Sequence, residues 1–246
     1  MGGCGLRYDL ECYRSVLARI QDAGYCFLKF GDLQGSCNKE ILLRHDVDLS
    51  PIMAFHMAEA EAELGIHANY FFQLNSETYN GLSTDTAEKI KQIQSLGHCV
   101  GLHIDEAMMS VEENVIHRTL EWFSDTITPV DRVVSFHRPS DKVIDRHYKL
   151  FISSYSPQFF LRSNYVSDAR RNEEFWGKLD GLISSSASPI QWLTHPGWWY
   201  AEDDPQKMLQ ALRDRRMKEF DEYLVYHFRQ YFGPHVYGKE SSTSGV

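Results

Sequence analysis

The stretch LLRHDVDLSP, residues 42–51, decides how this chain is read. An apolar pair runs into Arg44, His45, Asp46, Val47 and Asp48 and stops at Ser50-Pro51. The apolar residues suit a buried strand, yet ionisable groups at such a strand's end are costly unless they are paired or hold a metal. On an extended chain, residues two apart leave on the same face, so Asp46 and Asp48 point one way and His45 the other. One acid could bind a cation while its neighbour holds a water, and the cation would make both tolerable.

Working outward, similar runs recur at ILLRHDV (41–47), ANYFFQL (68–74), CVGLHI (99–104), VVSFHR (133–138), FLRSNYV (160–166) and IQWLTH (190–195). Helical spacing fills the gaps. Met53, Met57, Ala60 and Leu64 share one face, as do Ile90, Ile93 and Leu96 ahead of Gly97. Ser110 and Glu113 have the spacing of a capping box. One more helix is expected over Tyr8 to Ala23 and a last one from Pro205 to about Tyr231, where DRRMKEFDE (214–222) reads as a solvated face. Repeated strand–helix alternation predicts a parallel sheet with outer helices, open or closed into a barrel. No glycine-rich phosphate loop follows the first strand, which removes the dinucleotide-binding argument for an open sheet. A single domain is expected over residues 1–238, with KESSTSGV (239–246) as a disordered tail.

The 246 residues carry a formal charge of −9, which argues against a nucleic-acid or anionic-membrane partner. No stretch approaches the roughly 18–20 apolar residues of a membrane span. The start, MGGCGLRYDLECYR, lacks the pattern of a secretory signal, so a cytoplasmic protein is expected. Five cysteines, odd in number and without a CxxC pair, are expected to be reduced thiols.

In a parallel α/β fold the site gathers at the carboxyl ends of the strands. Polar residues fall there repeatedly: His45-Asp46-Val47-Asp48, His103-Ile104-Asp105-Glu106, His137-Arg138-Pro139, Ser167-Asp168 and Thr194-His195-Pro196. Two imidazoles and a carboxylate match the three protein ligands of a catalytic zinc, whose water a neighbouring carboxylate can deprotonate. The pattern points to metal-assisted hydrolysis.

In order along the chain, RHDVD (44–48), GHCVGLH (97–103), SFHRP (135–139), SDARRNEEFW (167–176) and WLTHPGWW (192–199) resemble the motifs of the polysaccharide deacetylase (NodB-homology) family. The likeness is to its HDVD-type cytoplasmic members of surface-polysaccharide and O-antigen biosynthesis. The resemblance implies a distorted (β/α) barrel of about seven parallel strands with outer helices. It implies a metal-dependent carbohydrate N-deacetylase, most often with one Zn2+ per chain, acting on an amino-sugar substrate. It further implies Asp46 as general base, Asp48 and His103 as metal ligands, and His195 as general acid. Arg138 would orient the base, Asp168 would tune the acid, and Trp176 would wall the pocket. The family's second metal histidine, four residues after the first, is replaced here by Ala107. Asp105 and Glu106 are alternatives, and His137, from the neighbouring strand end, is favoured as the substitute.

Other residues are read from position alone. His45 is a candidate support behind the ligands. His98, next to Gly97, is expected at a helix end or on the surface. Trp198, Trp199 and Tyr200 follow the acid, and at least one is a candidate platform for a sugar's apolar face. Tyr79 and Asn80 are weaker candidates for contacts to substrate hydroxyls. Two other readings stay open: a different amide hydrolase, such as a deformylase or ureide-type enzyme, and a catalytically silent carbohydrate-binding barrel.

Overall fold

Glu40–Val47, the strand at the centre of the sequence argument, is buried along its whole length. A strand buried on both faces fits a parallel sheet covered on each side. The computed structural model describes residues 7–32, 37–199 and 204–232, in two compact units, Met1–Asp203 and Asp204–Val246.

The first unit alternates helices and strands. Its helices are α1 (Leu10–Asp22), α2 (Pro51–Glu63), α3 (Thr84–Ser95), α4 (Glu113–Thr126) and α5 (Glu173–Ser184). Its strands are β1 (Cys26–Phe27), β2 (Glu40–Val47), β3 (Asn69–Phe72), β4 (Cys99–Asp105), β5 (Val133–His137), β6 (Ile152–Ser153), β7 (Tyr165–Ser167) and β8 (Ile190–Thr194). All pairings are parallel, in the order β6-β5-β4-β3-β2-β8-β7, and short β1 adds to the start of β2. The seven-stranded path curls into a distorted, incompletely closed (β/α) barrel; among the described residues β6 and β7 are its unpaired edges. The second unit contains one long helix, α6 (Pro205–Phe232).

Strand alternation sorts the core into two layers. Ile41, Leu43, Val47, Tyr70, Phe72, Val100, Leu102 and Trp192 belong to the large outer layer with the helices. Leu42, Phe71, Cys99, Val133, Phe30 and Phe159 form a small apolar plug on the other face. Gly101 is required where β4 passes β5, because a Cβ there would lie 2.2 Å from the Val133 carbonyl oxygen. The turn after β2 is equally specified. Ser50 caps α2 by accepting from the Met53 N–H, and Pro51 occupies a first-turn position that needs no amide hydrogen.

Four local expectations are corrected. The strand expected over 160–166 forms only at Tyr165–Ser167, because turns closed by Phe160 N–H on Ser156 O and Asn164 N–H on Leu161 O occupy the preceding chain. The capping box does not form. Ser110 accepts from Glu112 N–H, and the Glu113 carboxylate reaches instead to the backbone amides of Lys149 and Leu150. His98 is buried between elements, accepting at Nδ1 from Ala68 N–H and meeting Ala58 O with Nε2. The thiols are not all reduced: Cys26 and Cys37 are joined as a disulfide, and Cys12 is also disulfide-bonded. β1 lies parallel to β2, with Cys26 N–H on Lys39 O, and this pairing brings the two sulfurs together. Cys99 stays a free, buried thiol. No described helix is long and apolar enough to cross a membrane. The tail at 239–246 and Tyr200 lie outside the described residues.

Candidate metal centre and active site

The carboxyl ends of β2, β4 and β5 bring Asp48, His103 and His137 together. His103 Nε2 lies 3.3 Å from Asp48 Oδ1, His137 Nδ1 lies 3.4 Å from that same oxygen, and the two imidazole nitrogens are 3.3 Å apart. Donors about 2.0–2.2 Å from a tetrahedral zinc lie about 3.3–3.6 Å from one another, so this triangle has the dimensions of three corners of such a site. His137, and not a residue at Ala107, stands at the third corner of this grouping.

One hydroxyl fixes the protonation pattern around it. Ser135 Oγ, two residues before His137 on β5, donates to Asp46 Oδ1 at 2.9 Å and accepts from Arg44 Nη2 at 2.6 Å. Its single proton being used, its contact with His103 Nδ1 at 2.9 Å makes that nitrogen the donor. With Nδ1 so engaged, His103 turns its Nε2 toward the triangle.

Asp46 stands beside the triangle without joining it, its Oδ2 3.7 Å from His103 Nε2. Arg44 grips it at two points, Nε to Oδ1 at 2.9 Å and Nη2 to Oδ2 at 2.7 Å. The guanidinium is fully buried and is held further by Tyr155 Oη at 2.9 Å and Gln191 Oε1 at 3.1 Å. Burial alone would raise the Asp46 pKa, but Arg44 and then His103 hold it below the usual carboxylate range. Asp48 is depressed too, since bonds from His103 and His137 outweigh its burial. The bond to Asp48 raises His137.

His195 follows β8 and faces Asp48 from another side, with Nε2 3.8 Å from Oδ2. Its Nδ1–H donates to Asp168 Oδ1 at 2.6 Å, while Asp168 Oδ2 accepts from His195 N–H at 3.0 Å and Trp199 Nε1–H at 2.7 Å. Burial works against a charged imidazole, yet Asp168 prevails and lifts the His195 pKa to about 9.

Not every residue singled out in the sequence arrives here. Arg138 is exposed, in a left-handed turn at φ 49°, and the guanidinium on Asp46 belongs to Arg44. Trp199 is fully buried and offers no face to a ligand. Trp176 is half-buried and packs on Tyr8, Phe175 and Trp199. Trp198 is half-buried beside His195, with ring centroids 6.2 Å apart. Tyr79 is buried and ties strand ends together, accepting from Gln73 N–H and donating to Val47 O. Asn80 is exposed and closes a turn through Leu82 N–H and Ser83 Oγ. The sequence assigns no role to Arg44 or Ser135. Both lie two positions before a site residue on the same strand, the signal that alternation provides.

His45 points away from the site, as alternation requires. Its Nε2 lies 2.7 Å from Glu61 on α2, and its Nδ1 bonds Thr194 Oγ1. Glu61 also accepts from Tyr13 and Tyr70, and the adjacent His45, followed by the bond from Tyr13, lowers its pKa despite complete burial.

No protein-family model and no curated protein matches the sequence. Among solved structures, the chain is similar to a Streptococcus mutans CE4 esterase, at 14% identity over 82% of this chain and 91% of that one, with a TM-score of 0.42. It is also similar to a Bdellovibrio bacteriovorus peptidoglycan deacetylase, at 15% identity over 78% of this chain and 54% of that one, with a TM-score of 0.39.

Proposed function

We propose that this protein is a metal-dependent hydrolase that removes an acyl group, the N-acetyl group first among them, from the nitrogen of an amino sugar. The observation that carries the reading is the placement of Asp46 and His195 on two sides of the Asp48–His103–His137 triangle, with pKa values pushed apart. Two titratable groups so separated are an acid–base pair by their environments. Asp48, His103 and His137 would hold a divalent ion, with zinc the best match to two imidazoles and one carboxylate, and it would supply Lewis acidity to the acyl oxygen and a lowered water pKa.

The chain's own residues do the proton work. Asp46 enters ionised and fixed in angle by Arg44 and Ser135, and Oδ2 is its oxygen nearer the ligands. It takes the proton of the attacking water. His195, protonated at neutral pH, gives its Nε2 proton to the departing nitrogen, which would otherwise leave as an amide anion. Asp168 holds the imidazolium through Nδ1 while the proton moves at the opposite nitrogen. Trp198, beside the acid, would lie against a sugar ring.

The likeness of the five motifs to HDVD-type deacetylases supports an amino-sugar substrate that is nucleotide-linked, lipid-linked or part of a nascent surface polysaccharide. Cytoplasmic placement belongs to the same proposal. The Cys26–Cys37 disulfide pulls the other way, because disulfides persist mainly in oxidising compartments. Zinc-loaded protein assayed on a panel of N-acetylated amino sugars should release acetate stoichiometrically with a free amine. Formate or ammonia from other amides, with no acetate, would move the reaction to a different carbon–nitrogen hydrolase. No turnover on any amide by the metal-loaded protein would leave a sugar-binding barrel.

A further inference from the structure

Gln73 has no part in the reaction described above, yet its side chain ends against the Asp48–His137 edge of the ligand triangle. It follows β3 directly, and continuing the parallel register beyond Val47↔Phe72 sets it opposite Asp48. Its backbone is clamped: the amide donates to Tyr79 Oη at 2.8 Å, and Gly81 fits so closely that a Cβ there would lie 2.1 Å from the Gln73 carbonyl oxygen. The side chain is buried, and its terminal nitrogen lies 2.8 Å from Asp48 Oδ1 and 3.4 Å from His137 Nδ1. Two of the triangle's three corners are therefore in contact with one carboxamide.

A carboxamide presents an N–H donor or, after a half-turn about its last bond, an oxygen of nearly the same shape in the same place. With no cation present, donating to the Asp48 carboxylate is the favourable choice. With a cation between Asp48 and His137, the N–H₂ group would face positive charge, and the half-turn would replace repulsion with a ligand bond. We infer that Gln73 supplies a fourth protein ligand, its side-chain oxygen, to the divalent ion. The inference rests on the metal reading above. An uncharged oxygen adds no net charge and suits zinc, cobalt or manganese, and zinc accepts a fifth position for water.

The test uses Co2+ and the whole chain. Calorimetric titration of the metal-free wild-type protein should show one strong site. Gln73→Ala should weaken it about tenfold or more, the range seen when a group supporting a metal is lost. Gln73→Asn, which keeps the amide but shortens its reach, should weaken it comparably, and it serves if the alanine variant does not fold. In a crystal of the cobalt-loaded wild type, the Gln73 side-chain oxygen should lie within about 0.2 Å of an ordinary metal–oxygen distance. Wild-type affinity in both variants, or a carboxamide held away from the ion, overturns the role of Gln73 while leaving the triangle intact. A wild-type protein that takes up no Co2+ overturns both readings together.

Discussion

Arg44 and Asp46, two residues apart on β2, form a fully buried two-point ion pair, with Nε–Oδ1 at 2.9 Å and Nη2–Oδ2 at 2.7 Å. Because both charges are out of water, removing one strands the other. Arg44→Ala should therefore destabilise the protein by about 3–5 kcal/mol, read as a shift of the urea midpoint at pH 7. Arg44→Lys should recover only part of this, because an ammonium cannot make the parallel pair of bonds. An Arg44→Ala variant as stable as wild type would mean that the pair is not formed.

The two aspartates should separate cleanly in function. Asp46→Asn removes the proposed base but none of the triangle, so kcat should fall about 10²–10⁴-fold while the ion is retained. Asp48→Ala removes a corner, so ion and activity should be lost together. Loss of the ion from Asp46→Asn, with retention in Asp48→Ala, would exchange the two assignments.

His195, the proposed acid, should set the alkaline side of the pH profile. Its pKa is raised from 6.5 to about 9, so the acid form persists through neutrality, and kcat/KM should decline only as pH approaches 9. Folding favours the protonated ring. Its contribution to stability is therefore complete below about pH 6.5 and lost as pH rises through 9. Asp168→Asn removes the dominant raising charge, so the limb should move back toward 6.5 and the stabilisation should shrink. An unmoved limb in Asp168→Asn would assign it to another group.

Much of this was legible from periodicity of two. The alternation that puts Asp46 and Asp48 on one face also puts His45 on the other, and the structure has His45 bonded to Glu61 behind the sheet. The same rule applied one step earlier reaches Arg44, but the motif SFHRP drew attention to Arg138. That residue sits past the strand in a left-handed turn, where alternation no longer governs direction. Trp199 is turned inward onto Asp168 by the 3-10 turn Pro196–Trp198, a reversal that three consecutive aromatics do not announce. Gln73 escaped notice since a single amide at a strand end carries no chemical signature until its neighbour across the sheet is known.

Zinc content after dialysis against a zinc buffer, measured elementally on wild type, His103→Ala and His137→Ala, tests the central claim most directly. One zinc per chain in the wild type, and none in either variant, is the predicted result. A wild-type protein without zinc, or variants that keep it, would contradict a centre built from Asp48, His103 and His137.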